Sequence, residues 1–375
     1  MPSSEESFAW VTLSRAPALD VRRLAKALEI LGDVRGVVGA ADAALEAAGL
    51  SPAARRFLSG PDAGLSAAER RWMDDPRHHL LPFTDPRYPR LLLATESFPP
   101  ALYVAGNPDV LNDPSLAVVG SRNPTAQGRE TAHEFSEYLA ERGLVITSGL
   151  ASGIDSAAHR GALAAQGATV AVLGSGIDVI YPQCNRPLAE DIQHQGALLS
   201  GFPLGTPPRP ENFPQRNGLI AGTTLGTLVV EAARRSGSLI TARLAASYGR
   251  ELFAIPGSIH SPLSRGCHEL IRQGAKLTET AGDILNELNF SAFFSPAAGA
   301  AARPSAPSEP AAAMDKDHKI LLDALGFDPT DLDVLVVRTG FKPAAVSSMM
   351  LILELEGHVQ AAPGGRYSRV VRSRR

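Results

Sequence analysis

The chain has 375 residues, enough for two or three domains, and its 44% hydrophobic and 20% charged residues are typical of a soluble globular protein. A net charge of −3 at pH 7 excludes a protein coated in positive charge, although a local groove of arginines would still allow nucleic-acid binding. The only cysteines are Cys184 and Cys267, so we expect no disulfides and no cysteine-bound metal. No apolar run is long enough to span a membrane, and no signal peptide is evident. We therefore expect a protein of the reducing cytoplasm, without metal or cofactor.

Residues 1–80 are predicted to form a small helical domain. Val21–Leu31 places aliphatic side chains on one face at helical spacing. Segments 41–48 and 67–73 are predicted as further short helices, and no strand alternation is evident before residue 80. The proline-rich segment 82–108 is interpreted as turns and edge strand that lead into the next domain.

From Leu116 onward, apolar strands alternate with amphipathic helices. The predicted strands are the short apolar runs at 117–119, 144–147, 168–173, 197–199, 227–230 and 251–255. Continuous apolar strands separated by helix-length segments indicate a parallel sheet covered on both faces. We therefore predict that residues 81–290 form an extended, Rossmann-like, doubly wound α/β domain.

The composition changes again after residue 290. Residues 291–314 hold 10 Ala and 4 Pro among 24 positions, which predicts a flexible linker. Residues 315–375 are predicted to form three helices and a hairpin, the pattern of a winged-helix-like domain. Its basic residues are Arg366, Arg369, Arg372, Arg374 and Arg375, with no acidic residue among them. These residues either form a basic wing that suits nucleic acid or are a solvated run of terminal charge, and the unit is expected to contact either duplex DNA or a protein partner.

Glycine or arginine follows four of the predicted strands. These residues are Gly120, Ser121 and Arg122 after the first strand, Gly149 and Gly153 after the second, Gly174 and Gly176 after the third, and Arg216 and Asn217 at the end of the proline-rich loop that follows the fourth. Ligands of open α/β sheets bind beyond the carboxyl ends of the strands, where helix N-termini attract anions. Arginine adds a permanently charged, bidentate phosphate ligand. We therefore predict a phosphate-binding rim.

Evidence for catalysis is weaker. No G-x-G-x-x-G motif follows the first strand, and no P-loop motif occurs. Asp155 and His159 lie one helical turn apart and form either an acid–base pair or, as we favour, a structural cap with a histidine behind it. Glu231 ends a strand at the same rim. It serves either as a catalytic base or, as we favour, to orient the arginines of the rim.

Several of these segments are specific in combination. They are Val118–Arg122, Thr147–His159, Val172–Asp178, Tyr181-Pro182, Phe213–Asn217, Val229–Ala232, Ser236–Ala242 and Ala254–Gly257. In order and composition they resemble the DNA-processing protein A (DprA) family over roughly residues 85–285. The helical N-terminal part, similar to a SAM domain, and the winged helix resemble the accessory domains of that family less specifically.

The resemblance implies a non-enzymatic protein that binds single-stranded DNA entering the cell in natural transformation, shields it and loads the RecA recombinase. It implies DNA-phosphate contacts by Arg122, Arg216 and Asn217, with Arg186 as a weaker candidate. It also implies a homodimer, for which we expect a surface between residues 266 and 277 that includes Leu270 and Ile271.

Two positions depart from the family pattern. Gly218 stands where the family usually has a second arginine, and Gly201 stands where it tends to have glutamate. Loss of the arginine removes one phosphate contact, so affinity or footprint is expected to differ. Two other functions stay open. A phosphoribohydrolase-like enzyme is compatible with the loop that runs from Gly226 to Glu231, and a nucleotide sensor without turnover is compatible with the glycine-rich rim.

Overall fold

A nine-stranded sheet, a group of helices before it and a small three-stranded unit after it make up the described part of the chain. The computed structural model describes residues 4–60, 67–96, 98–290, 315–326, 329–362 and 364–370. The predicted linker at 291–314 and the arginines Arg372, Arg374 and Arg375 of the basic tail lie outside these residues.

The N-terminal part is helical. Its helices are α1 (Ser4–Arg15), α2 (Val21–Leu31), α3 (Val34–Gly39), α4 (Asp42–Ala47), α5 (Pro52–Leu58) and α6 (Ala67–Met73). The Asp20 carboxylate accepts hydrogen bonds from the first amides of α2, and Gly32, at φ 91°, ends that helix. Leu13, Leu24 and Leu45 are fully buried here and join the core beneath the large sheet.

The large sheet contains β1 (His78–Pro82), β2 (Ala101–Gly106), β3 (Ser115–Val119), β4 (Val145–Ser148), β5 (Thr169–Leu173), β6 (Ala197–Ser200), β7 (Gly226–Val229), β8 (Glu251–Ala254) and β9 (Lys276–Leu277). Their order is β1-β2-β6-β5-β4-β3-β7-β8-β9. Strands β3 to β9 pair in parallel with one another, whereas β1 pairs with β2, and β2 with β6, in antiparallel fashion. The order reverses between β3 and β7, which is where such sheets bind ligands.

Helices cover both faces of this sheet, as predicted. They are α7 (Arg90–Leu93), α8 (Ala126–Glu141), α9 (Ile154–Ala164), α10 (Arg186–Gln195), α11 (Asn212–Gly222), α12 (Ser238–Ser247), α13 (Arg265–Arg272) and α14 (Ala281–Glu287). A hydrophobic core lies on each face of the sheet, and alternate residues of β3 point into one or the other. Leu116 and Val118 pack with α8 and α9 on one face, and Ala117 and Val119 pack with α11 and α12 on the other. The Rossmann-like α/β class is therefore confirmed.

Two predictions about this region were wrong. Strand β1 begins at His78, inside the region predicted to contain no strand. The proline-rich segment contributes β2, which lies between β1 and β6 and is not an edge strand.

The C-terminal unit has α15 (Lys316–Leu325), β10 (Thr330–Asp331), α16 (Leu332–Thr339), α17 (Pro343–Leu355), β11 (Val359–Ala362) and β12 (Arg366–Arg369), with strand order β10-β12-β11. Three helices and a hairpin around their own core of Leu321, Leu335 and Met350 form the predicted winged helix. No single helix in the described part of the chain could cross a bilayer, and only α16 and α17 taken together meet the length and composition, as a pair bent by 113°.

Candidate nucleic-acid interface

An open groove lies beyond the carboxyl ends of β3, β4 and β5, beside the point where the strand order reverses. Two adjoining cavities of about 350 and 260 Å³ form it. Both are lined by Arg122, Ala151, Phe213 and Arg216, and we call this surface the rim groove. Loops after three strands and the first turns of α11 therefore meet at one place, as the pattern of strand ends predicted.

Arg122 is the exposed cation of the rim groove. It follows β3 directly, and its side chain has no ion-pair partner within the described segments. Its guanidinium carbon lies 5.3 Å from the centre of the Phe213 ring, within cation–π distance. An exposed guanidinium held over an aromatic ring is available to a phosphate ligand at little cost in side-chain entropy.

Arg216 lies on the floor of the same groove and is only 5% exposed. It belongs to helix α11, so its prediction as part of a loop was wrong. A Cβ atom at Gly149 would overlap the Arg216 guanidinium, and only glycine therefore leaves room for this side chain. Arg216 pairs with Asp155 at 3.9 Å. Burial lowers the pKa of Arg216 and raises that of Asp155, and their mutual attraction opposes both shifts.

The other predicted glycines also make room for the protein itself. A Cβ at Gly120 would strike Ile154, and one at Gly174 would lie 3.1 Å from the Phe213 ring. At Gly153, φ is 86°, and a side chain would meet the carbonyl oxygens of Ser121 and Arg122. A Cβ at Gly176 would press on Asp178 and Pro203. These glycines are explained by close packing, and their approach to a phosphate stays a prediction.

The predicted contacts do not all line the groove. The two cavities include Gly120, Arg122, Gly149, Gly174, Arg216 and Asn217, but not Ser121, Gly153, Gly176 or Arg186. The Asn217 amide donates a hydrogen bond of 3.4 Å to the Gly237 carbonyl oxygen across the groove. Arg186 begins α10, is exposed and lines neither cavity.

Sequence reasoning missed two features of the groove. Phe213 and Tyr181 lie 6.2 Å apart. Tyr181 is 47% exposed, so its ring is open to base stacking, whereas the Phe213 ring is only partly exposed and has Arg122 and Arg216 within cation–π distance. Arg234 and Arg235 are exposed in the loop that precedes Ser236, which lines the groove. The aromatic pair was missed because the aromatic content of the chain is only 6%, although Tyr181-Pro182 and Phe213-Pro214 belong to the segments that resemble the DprA family.

Asp155 and His159 do not form an acid–base pair. The Asp155 carboxylate accepts hydrogen bonds from the Gly149 and Ala151 amides, and so shapes the loop after β4. The Thr169 hydroxyl donates to a backbone carbonyl and therefore accepts from Nδ1 of His159, 2.7 Å away. Burial lowers the pKa of His159 to about 3, so the ring is neutral at pH 7.

Glu231 neither orients the arginines nor lies in the rim groove. Its carboxylate accepts from the amide and hydroxyl of Thr125 at 2.9 and 2.6 Å, and so holds the first turn of α8. It lines a separate cavity of about 450 Å³ together with Glu134 and Glu279, which we call the acidic cavity. Within the described ranges, no group of three His, Cys, Asp or Glu side chains could hold a metal ion.

The predicted dimer residues lie mostly inside the molecule. Leu270 on α13 is buried in the same core as Cys267 and Leu239, and Ile271 packs against that core while partly exposed. Because α13 turns its apolar face toward the sheet, the Leu270 side chain is not on the surface of the single chain, and a dimer surface between residues 266 and 277 stays a prediction.

The chain joins a Rossmann-like sheet with a cationic, aromatic groove to a winged helix, and the family models that match these two parts are those of a DNA recombination mediator. The chain belongs to the DNA recombination-mediator protein A family, whose model matches residues 79–289, and the DprA winged helix domain matches residues 303–365. Protein Smf of Escherichia coli K12 is 44% identical over 318 residues, 83% of each chain. DNA processing protein DprA of Streptococcus pneumoniae R6 is 41% identical over 70% of this chain and 88% of that protein.

Solved structures agree with this assignment. The crystal structure of DprA from Streptococcus pneumoniae superposes with a TM-score of 0.65 and 36% identity, over 76% of this chain and 99% of the other. DprA from Helicobacter pylori, described for its single-stranded DNA binding mode, superposes with a TM-score of 0.52 and 28% identity, over 57% and 97%.

Proposed function

We propose that the rim groove binds single-stranded DNA and that the protein, acting in the cytoplasm, shields incoming strands and passes them to the RecA recombinase during natural transformation. The observation that carries the proposal is an exposed Arg122 stacked beside Phe213 in an open groove. The Helicobacter pylori relative, whose structure concerns a single-stranded DNA binding mode, supports the same ligand here.

The groove suits a polynucleotide strand better than a mononucleotide. Arg122 offers a phosphate contact, and Phe213 and Tyr181 offer ring faces to neighbouring bases. Arg234 and Arg235 are exposed just before Ser236, which lines the groove, and they are candidates for further phosphate contacts. Backbone and stacking contacts carry little sequence information, and we expect weak base selectivity.

We infer that the protein binds DNA rather than transforming it chemically. The phosphoribohydrolase alternative needs an arginine–glutamate pair in one closed pocket. Glu231 lies in the acidic cavity and is bonded to Thr125, whereas Arg122 and Arg216 line the rim groove. His159 is buried and neutral at the pH where a base would have to work. These placements favour binding without turnover.

A homodimer would place two rim grooves on one strand and raise the apparent affinity through linked binding. Because backbone contacts leave the base edges of a strand uncovered, RecA would be able to engage DNA that is still held in the groove.

The test compares Arg122→Ala with Arg56→Ala, which removes another exposed cation, one that is on α5 and does not line the groove. We expect Arg122→Ala to lower single-strand affinity about tenfold or more, because a charge-assisted contact contributes roughly 1.5–3 kcal/mol. The salt slope should fall by about 0.7–1 unit, and RecA assembly on protected strands should fall in parallel. Equal binding by both variants, or release of free base from a nucleotide by the pure protein, would contradict the proposal.

A further inference from the structure

Two loops enclose the smaller cavity of the rim groove, and a buried asparagine joins them from behind. The first loop, residues 149–153, follows β4, and the second, residues 174–185, follows β5; we call them the β4 loop and the β5 loop. Asn185 is the last residue of the β5 loop and is only 4% exposed. It lines neither cavity of the groove. Its side chain therefore acts on the groove only through the residues that it contacts.

The β4 loop has a strained backbone. Leu150 has a φ of 57°, in the left-handed region that disfavours any residue with a Cβ atom. Such a residue persists only when its surroundings fix it. The Leu150 side chain is fully buried in the core shared with the N-terminal helices, and its carbonyl oxygen accepts a hydrogen bond of 2.8 Å from the Asn185 side-chain amide. Asn185 therefore fixes the β4 loop at its strained residue.

The same amide also holds the rest of the β4 loop. Asn185 Nδ2 donates to Ser156 Oγ at 2.9 Å, and Ser156 Oγ donates to the Ala151 carbonyl oxygen at 2.6 Å. From the other side, the Asp155 carboxylate accepts from the amides of Gly149 and Ala151, at 3.1 and 3.4 Å. The backbone from residue 149 to residue 151 is therefore held by side chains at each of its three positions.

Both ends of this connection carry residues that line the groove. On the β4 loop, Gly149 leaves the space that the Arg216 guanidinium occupies. On the β5 loop, the Asn185 backbone amide donates to the Pro182 carbonyl oxygen at 3.0 Å, and Pro182 follows the exposed ring of Tyr181. A shift of Asn185 would therefore change the spacing between the Arg216 guanidinium and the Tyr181 ring.

We propose that Asn185 is a positioning residue for DNA binding. Its side-chain amide sets the spacing of the β4 and β5 loops, so that a phosphate can lie near Arg216 while a neighbouring base stacks on Tyr181. The inference rests on the proposed function, because it concerns how the rim groove holds a single strand. Loss of Asn185 would weaken binding although no group that touches DNA is removed.

A double-mutant cycle tests the positioning role. Asn185→Ala removes both donated bonds and no group that lines the groove. We expect it to lower single-strand affinity about tenfold in the unmodified background but only about twofold where Tyr181→Ala is already present, because a ring that is absent cannot be misplaced. A merely structural loss would lower affinity equally in both backgrounds. That result, or an Asn185→Ala chain that binds like the unmodified protein, would overturn the proposal.

Two further variants are the controls for this cycle. Asn112→Ala removes hydrogen bonds of the same kind, from an asparagine amide to two backbone carbonyl oxygens, outside both cavities, and should bind within about twofold of the unmodified protein. Ser156→Ala removes only the link from Asn185 to Ala151, and should act in the same direction as Asn185→Ala but less. Thermal unfolding curves show whether each variant is folded during the titration. If Asn185→Ala does not fold, the cycle is run with Ser156→Ala, and the same outcomes decide.

The fluorescence of 2-aminopurine separates a misplaced ring from weak binding. This base loses fluorescence when it stacks, so at saturating protein its signal reports the ring and not the affinity. With 2-aminopurine in a single strand, we expect quenching by the unmodified protein and by Asn112→Ala, and at most about half of that quenching by Asn185→Ala. Full quenching by Asn185→Ala would overturn the proposal. Failure of the unmodified protein to bind single strands would instead contradict the proposed function, so the two failures are distinguishable.

Discussion

The rim groove and the acidic cavity lie at the same edge of the same sheet and carry opposite charge. The groove, beyond β3 to β5, is lined by Arg122, Arg216 and Phe213. The cavity, beyond β7 and β8, is lined by Glu134, Glu231 and Glu279. The comparison shows that strand ends supply a place for a ligand, whereas the side chains that follow them decide its charge. A polyanion that follows this edge would enter the groove and avoid the cavity.

The two sites also differ in what their charges do inside the protein. Arg122 has no carboxylate partner in the described ranges, so its charge is available to a ligand. Glu231 is committed to Thr125 and to the first turn of α8. Five predictions test this difference.

The largest effect is expected for Gly149→Val. The added side chain would displace the Arg216 guanidinium, which occupies the space beside Gly149. We expect a loss of single-strand affinity of about hundredfold, or about 3 kcal/mol, from overfilling and loss of a charged contact. The control is Gly218→Ala, whose new Cβ meets only the Tyr248 hydroxyl, at 3.5 Å. Binding titrations check both. Arg216→Met leaves Gly149 in place and removes only the charge, so it distinguishes loss of the charge from loss of the fold. Unchanged affinity in Gly149→Val and in Arg216→Met would contradict a role for Arg216.

Acidification should lower the free energy of unfolding, because His159 is buried as a neutral ring. His159 has an ordinary pKa of 6.5 when unfolded and about 3 when buried, so only the unfolded chain takes up a proton in between. Stability is therefore lost as the pH falls below 6.5, at up to about 1.4 kcal/mol per pH unit, or roughly 2 kcal/mol by pH 5. Burial raises the pKa of Asp155, which acts in the opposite sense at lower pH.

Denaturant midpoints at pH 7 and pH 5 measure this loss. The variant His159→Gln keeps a donor for Thr169 and has no proton to gain, so it should show a clearly smaller difference between the two midpoints. An equal difference in both proteins would mean that another group controls the acid response.

Replacement of Phe213 by alanine should cost about tenfold in single-strand affinity, since stacking on one ring contributes roughly 1–3 kcal/mol per base. Phe213→Tyr keeps a ring face and should bind within about twofold of the unmodified protein. Fluorescence titration with labelled oligonucleotides measures both. If Phe213→Ala and Phe213→Tyr bind alike, the ring serves only to pack against Gly174.

Glu231→Gln should act on stability and not on DNA binding. The change weakens the acceptor for the Thr125 amide and hydroxyl, and we expect a loss of about 1 kcal/mol in the free energy of unfolding, as for other helix caps. Single-strand affinity should change by less than about twofold, because the carboxylate is outside the groove. A large change in affinity with unaltered stability would mean that Glu231 takes part in DNA binding, and it would contradict the separation of the acidic cavity from the rim groove.

The smallest effect is expected for Gly218→Arg. Gly218 is in α11, beside Asn217, and its added Cβ would make only an ordinary contact with the Tyr248 hydroxyl, at 3.5 Å. A new cation should raise affinity about threefold and increase the salt slope by about 0.7 unit. Gly218→Ala isolates the gain in helix propensity alone. No difference between these two variants would show that position 218 lies off the path of the DNA.

Much of the fold was predictable because buried parallel strands are continuous apolar runs. Strand β1 was missed because His78 and His79 precede only two leucines and a proline. Helix α11 was taken for a loop because Pro214 lies near its start, yet proline is tolerated in the first turn, where no intrahelical amide bond is lost.

The site was predictable in part. The ends of β3, β4 and β5 meet as expected, because carboxyl ends of parallel strands share one edge. The buried position of Arg216 depends on the space beside Gly149. The role of Glu231 depends on its hydrogen bonds with Thr125, which is 106 positions away in the chain. Neither contact leaves a local pattern in the sequence. Leu270 is different, since its spacing of three from Cys267 already indicates the apolar face of α13.

The most direct test of the account is a binding titration against single strands of increasing length, at two salt concentrations, with the unmodified protein and Arg122→Ala. The account predicts that affinity rises with length over several nucleotides, weakens with salt, and falls about tenfold or more in the variant. A mononucleotide bound as tightly as a long strand, or a variant indistinguishable from the unmodified protein, would contradict it.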